Sequence, residues 1–238
     1  MYVGIIESTL SFHHYSFLLF YDTTQFVKKM PRYISIMGTM GAGKTTAARL
    51  LSKTFKYRLI EENFGENAFL SRFYDDMKRW AFHSQTFFLM EKISQMLETK
   101  RLLEKTPVIQ DTPIEQDVYS YAKAQHVLGY IDDAEWNLYQ KIYHSFTPYF
   151  SVPDAILFLD TSIASIAGRI ESRGRGYEQK IPLSYLELLD MLNRKWLSEQ
   201  KDIPVIRIDT NSLNIVRNEK AKKQFVSEVE NRLSELRV

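Results

Sequence analysis

One stretch constrains this chain more than any other: Gly38-Thr39-Met40-Gly41-Ala42-Gly43-Lys44-Thr45-Thr46. It follows a short β-prone run, Tyr33-Ile34-Ser35-Ile36-Met37, and opens a helix-forming run, Thr46-Ala47-Ala48-Arg49-Leu50-Leu51. This is G-x-x-x-x-G-K-[ST] in the context that gives it meaning: strand, glycine loop, helix. Phosphate oxygens carry dense negative charge. Glycines let backbone N–H groups turn inward around them, the helix N-terminus adds the positive end of its dipole, and Lys44 adds a point charge. Gly38, Met40, Gly41, Ala42, Gly43 and Thr46 belong to that cradle, and the Thr45 hydroxyl can hold Mg²⁺. The chain is expected to bind a nucleoside triphosphate.

The length, 238 residues, fits one α/β domain with a sizeable core, and 45% hydrophobic with 25% charged residues is ordinary for a globular protein. A formal net charge of +2 argues against nucleic acid as a general partner. Cysteine is absent, which excludes disulfides and Cys-ligated metals and suits a cytoplasmic setting. No apolar run approaches the roughly 20 residues that cross a bilayer, so no membrane role is expected. Residues 1–29 carry no clear period, and Met30-Pro31-Arg32-Tyr33 reads like a natural start. That segment reads as an appended or mis-assigned extension ahead of a domain at 30–238, with an organelle-targeting segment as the weaker alternative.

Downstream, apolar runs at Tyr57–Ile60, Thr106–Gln110, Ala155–Leu159 and Ile203–Ile208 alternate with helical patterns. With the first strand they predict a five-stranded parallel sheet flanked by helices, a three-layer P-loop NTPase fold. Ligands in such sheets bind beyond the carboxyl ends of the strands. The residues there are Glu61-Glu62, Asp111, Asp160 and Asp209. Asp160-Thr161-Ser162 reads as a helix cap. Glu62 and Asp111 would face the phosphate loop, where a carboxylate acts as base toward a hydroxyl or holds Mg²⁺. Arg169, Arg173 and Arg175 crowd one glycine-broken stretch and predict an arginine-rich lid, because a guanidinium fork grips phosphate oxygens.

From about Tyr33 to Asn211 these residues resemble the deoxynucleoside kinases (deoxycytidine, deoxyguanosine and deoxyadenosine kinases). The likeness rests on Arg173-Gly174-Arg175-Gly176-Tyr177-Glu178-Gln179-Lys180-Ile181-Pro182-Leu183-Ser184-Tyr185-Leu186-Glu187, similar to the family's lid and I-P-L-x-Y-L-E helix, and on Arg79-Trp80-Ala81-Phe82-His83-Ser84-Gln85, similar to its W-x-F-x-x-Q segment. The resemblance implies ATP as donor, Mg²⁺, a deoxynucleoside as acceptor and a homodimer formed through the long helices. It implies that Glu62 draws the proton from the sugar 5′-hydroxyl and that Gln85 pairs with the base edge. Tyr74 and Glu178 would hold the sugar 3′-hydroxyl, Arg173 and Arg175 the transferring phosphate, with Arg169 beside the donor; Asp209 is placed with the ATP site by its position at the end of the last strand. Asp117 falls where several members carry an aspartate near the base, favouring a base with an exocyclic amine over thymine. Trp80 and Phe82 divide evenly between core packing and the base pocket.

Two departures stand out. The family's D/E-R-S becomes Asp111-Thr112-Pro113, so an arginine is missing: either another cation, Lys92 or Arg72, replaces it, or the chain is a weak kinase or a divergent member kept for binding. The family's Glu-Pro-Val becomes Glu62-Asn63-Phe64, which leaves open whether Glu61 or Glu62 points inward. The first reading is a deoxynucleoside 5′-kinase. The alternatives are a thymidylate-type nucleoside monophosphate kinase and a non-catalytic nucleotide-binding member of the fold.

Overall fold

A computed structural model of the chain describes residues 30–62, 65, 67–174, 176 and 181–236. The expected extension at 1–29 lies outside the described residues, as do Asn63, Phe64, Arg175 and Glu178.

The elements run β1 (Tyr33–Met37), α1 (Lys44–Phe55), β2 (Arg58–Ile60), α2 (Leu70–Asp75), α3 (Met77–Leu103) and β3 (Val108–Asp111). Then come α4 (Ile114–Gln116), a π-helix at Asp117–Ala122, α5 (Lys123–Val127) and α6 (Asp133–Phe146). β4 (Ala155–Asp160), α7 (Ile163–Arg173), α8 (Leu183–Glu199), β5 (Val205–Asp209) and α9 (Glu219–Glu235) complete the order. The strands form one parallel sheet in the order β2-β3-β1-β4-β5. The five expected strands and their flanking helices are all present.

Strand side chains alternate between two faces. Ile34, Ile36, Ala155, Leu157 and Leu159 join Leu51 of α1 and Phe225 and Val229 of α9 in one core. Ile156, Phe158 and Met37 turn the other way, against Trp196 and Leu197 of α8. A third cluster, with Leu89 and Ile93 of α3, Val118 of the π-helix and Tyr139 of α6, builds a helical lobe beside β3. Each fully buried Leu, Ile or Phe in these layers contributes about 1.5–3 kcal/mol. Helices α3, α6, α7 and α9 carry side-chain caps at their N-termini. Asp132 and Glu135 form a capping box on α6, and Asp76 accepts from Arg79 N at 3.1 Å on α3. Among the described residues no helix is long and apolar enough to cross a membrane.

β1 is central, with β3 on one side and β4 on the other, so the chain's crossovers diverge there. The crevice this opens at the carboxyl end of β1 is where the phosphate loop sits.

Candidate active site

The loop's backbone explains its glycines. Gly41 has φ 86°, and a Cβ there would stand 3.0 Å from Ile170 Cγ1 and 3.1 Å from Ile166 Cγ2 of α7. Gly43 has φ 99°, faces open space and precedes α1 without a capping side chain. The first N–H groups of α1 are thereby left for a ligand. Lys44 Nζ donates to Gly38 O at 2.8 Å. Burial pulls the Lys44 pKa down, with Asp111, Glu62 and Asp117 pulling the other way.

Side chains that the sequence did not single out hold the loop. Gln116 grips Gly38 from both sides: its Nε2 donates to Gly38 O at 2.7 Å and its Oε1 accepts from Gly38 N at 3.2 Å. Thr39 Oγ1 donates to Asp190 Oδ1 at 3.0 Å, and Asp190 in turn pairs with Arg194, which also pairs with Asp160. Asp160 is therefore an ion-pair partner, and Ser162 is the residue that caps α7, accepting from Ser165 N.

On one side of the loop lies a cavity of about 150 Å³. Its walls bring together Met40, Lys44, Thr45, Thr46, Glu62, Tyr74, Gln85, Asp111, Asp117 and Arg173, residues drawn from five separate stretches of the sequence. Glu61 turns outward and pairs with exposed Arg49 at 2.6 Å, while Glu62 turns inward and pairs with Lys92 Nζ at 2.7 Å. Lys92 is thus the cation beside Asp111 and Thr112, whereas exposed Arg72 lies over the Trp80 ring. Trp80 stacks on Phe69 and Phe82 packs at the edge of the helical lobe; neither lines the cavity. Tyr121 and Tyr185 do line it, without having been assigned a role. Tyr185 could have been found, since it lies in the quoted Ile181–Glu187 segment; Tyr121 carries no local signal.

Asp117 is the first residue of the π-helix, an element common at functional sites. Burial pushes its carboxyl well above the usual range, and Glu62 pushes the same way against the opposing pull of Lys92 and Lys44. Asp117 Oδ2 and Gln85 Oε1 are buried without a hydrogen-bond partner among the described residues.

Thr45 Oγ1 donates to Asp111 Oδ2 at 2.6 Å. A hydroxyl and a carboxylate at the mouth of a phosphate loop are the hard oxygens Mg²⁺ takes, since that ion is usually held by one or two protein oxygens plus phosphates. No cluster of three or more His, Cys, Asp or Glu side chains able to hold a metal occurs among the described residues.

On the other side of the loop is an open cleft of about 820 Å³, between α7 and the segment after β5. Gly41, Ala42, Gly43, Thr46, Arg169 and Arg173 line it. Arg169 is tied to backbone: it donates to Ala42 O at 2.9 Å and to Thr210 O. Burial lowers its pKa. Asp209, expected beside the donor, lines neither cavity. Its Oδ1 accepts from Asn211 N and Nδ2, both at 2.8 Å, in a turn. Gly38 also lines neither cavity and acts through its backbone.

Residues 34–234 match the family described as deoxynucleoside kinase. The chain is 32% identical to a deoxyguanosine kinase of Bacillus subtilis over 83% of this chain and 95% of that protein. It is 29% identical to a deoxyadenosine/deoxycytidine kinase of the same organism, over 82% and 90%. A solved structure of deoxyadenosine kinase from M. mycoides with bound dCTP superposes with a TM-score of 0.71 at 25% identity, covering 85% of this chain and 99% of that one.

Proposed function

Since the chain belongs to the deoxynucleoside kinase family, we propose that it transfers the γ-phosphoryl group of ATP to the 5′-hydroxyl of a deoxynucleoside, with dA, dG or dC favoured over dT. The observation that carries the base preference is the pair of partnerless buried acceptors, Gln85 Oε1 and Asp117 Oδ2. A buried acceptor left unmade costs about 1–3 kcal/mol. An exocyclic amine supplies the missing N–H donors, and hydrogen bonds to Asp117 favour its charged form. Thymine offers one N–H between two carbonyls, which meets this demand poorly.

Glu62 is the base. It takes the proton of the 5′-hydroxyl as that oxygen bonds to the γ-phosphorus, while the bond from phosphorus to the bridging oxygen breaks and ADP leaves. Lys44 and Arg173, with Arg175 beyond the described residues, neutralise charge on the phosphoryl oxygens. Thr45 and Asp111 would hold Mg²⁺, which when bound offsets charge on the β- and γ-phosphates. Tyr74 and Glu178 are assigned to the sugar 3′-hydroxyl.

A monophosphate kinase would need a cation for the acceptor's own phosphate. The described cations lining the acceptor cavity are Lys44 and Arg173, at the phosphate loop and at the end of α7 beside the donor cleft. The deciding experiment is a phosphorylation screen with Mg-ATP over dA, dG, dC, dT and the corresponding monophosphates. Transfer to an amine-bearing deoxynucleoside is expected. Faster turnover of dTMP selects the monophosphate reading, and tight ATP binding with no transfer selects a non-catalytic member. Glu62→Gln should lower kcat by about 10²–10⁴-fold. A homodimer belongs to the same proposal, supported by exposed Met90 on α3 and Leu138 on α6. Light scattering at the monomer mass of 28.0 kDa would refute it.

A further inference from the structure

Lys92 sits in the middle of α3 with 2% of its side chain exposed. An ammonium taken out of water costs several kcal/mol unless its partners compensate, so those partners reveal what it is for. Its Nζ carries three protons and meets three acceptors: Glu62 Oε1 at 2.7 Å, Thr112 O at 2.9 Å and Asp111 O at 3.3 Å. Asp117 Oδ2 stands 3.8 Å away, too far for a hydrogen bond and close enough to feel the charge. Burial alone would pull the lysine pKa down, but Glu62 and Asp117 outweigh it and raise it, so the group is charged.

The two carbonyls come from an unusual turn. Thr112 follows β3 with φ 71°, a left-handed conformation that is a genuine outlier for a β-branched residue. Such strain persists only where the surroundings over-determine it. Here the turn delivers two successive carbonyl oxygens to one buried ammonium. Position 112 itself offers no cation, and Lys92 reaches the same turn from α3.

We propose that Lys92 is the positioning residue for the catalytic carboxylate: one buried ammonium pins Glu62 against the Asp111–Thr112 turn and places Asp117 in the same field. The proposal rests on Glu62 being the base that activates the nucleoside hydroxyl. Proton abstraction and base recognition then share one cation. With its three protons spent on Glu62 and the two carbonyls, Lys92 leaves Asp117 as the acceptor for the incoming base. Lys92 acts through Glu62 and does not touch the phosphate donor.

The test is a double-mutant cycle on the full chain with Lys92→Met, Glu62→Gln and the pair, reading kcat, KM for nucleoside and KM for ATP, with thermal unfolding alongside. Lys92→Met should lower kcat about 30-fold or more with KM for ATP changed less than about 3-fold, because the lost group acts in the transition state. In the Glu62→Gln background the same substitution should change kcat less than about 3-fold, since residues that act as a unit are non-additive. Lys92→Arg should recover most of the lost kcat. If Lys92→Met does not fold, the cycle is run on an Asp117→Asn background, which removes one of the two stranded carboxylates. Effects that multiply in the pair, or an ATP KM that rises as much as kcat falls, overturn the proposal. If the wild-type chain phosphorylates no deoxynucleoside, the function proposed above fails and this assignment fails with it; wild-type transfer with a multiplicative cycle sinks this assignment alone.

Discussion

Asp117 has 5% of its surface exposed and is costly to ionise where it stands. Its native pKa is raised, mainly by burial, so the folded state holds the proton more tightly than the unfolded chain does. Relative to an uncharged residue, no penalty applies below the ordinary value of about 3.9, and one grows as pH rises from there through the raised native value. Asp117→Asn should therefore raise the melting temperature, by more at pH 8 than at pH 5, while weakening discrimination against thymidine. A gain that shrinks with rising pH would refute this account. Thr112 is the second residue under tension. Thr112→Gly removes a left-handed penalty of about 1–2 kcal/mol at the loss of a long 3.4 Å contact from Thr112 Oγ1 to Asp111 Oδ1. Against the greater freedom glycine gives the unfolded chain, a rise of about 1–3 °C in melting temperature is expected, and a fall would show that the threonine is not strained. Neither tension was legible in the sequence. The resemblance assigns Asp117 to the base, but its burial goes with the packing of the π-helix against α3 and α8, both distant in sequence. Nothing local in Asp111-Thr112-Pro113 announces a positive φ.

The phosphate loop is a short element held by longer ones. Gln116 of α4 binds Gly38, Ile166 and Ile170 of α7 close over Gly41, and Asp190 and Asn193 of α8 engage Thr39. Gln116→Leu leaves the Gly38 N–H buried without its acceptor, which should cost about 1–3 kcal/mol of stability and raise KM for ATP. Unchanged unfolding and KM would mean the clamp is incidental. The loop itself, with its strand and helix, was readable because motif and periodicity agree over one continuous stretch. Its supports were not, since Gln116 and Asp190 lie 78 and 151 residues from their partners. The π-helix was equally hidden: Asp117–Ala122 reads as ordinary helix, and the segment packs against α3 and α8, which lie far from it in sequence. Strand ends came out within a residue or two because apolar runs flanked by polar residues mark them, whereas the choice between Glu61 and Glu62 waited on Arg49 and Lys92.

At the scale of the whole molecule, the sheet order sets two cavities on either side of one loop, both touching Gly41, Gly43, Thr46 and Arg173. Any ligand that binds only the folded chain stabilises it by mass action, so ATP at about 100 times its Kd should add roughly 2.7 kcal/mol. A melting temperature unmoved by ATP would contradict the donor assignment. The cavities differ in what surrounds their charges. On the acceptor side the side chains of Lys92, Glu62 and Asp117 are 2%, 11% and 7% exposed, whereas the cleft between α7 and the segment after β5 opens to solvent. Dissolved ions screen exposed charges over about 10 Å at 0.1 M and about 3 Å at 1 M, and buried pairs far less. Raising KCl from 0.1 to 0.5 M should accordingly raise KM for ATP several-fold and leave KM for the nucleoside nearly constant. Ionic strength becomes a dial that reaches one substrate and not the other, because the lysine that organises the acceptor side is sealed away from the electrolyte.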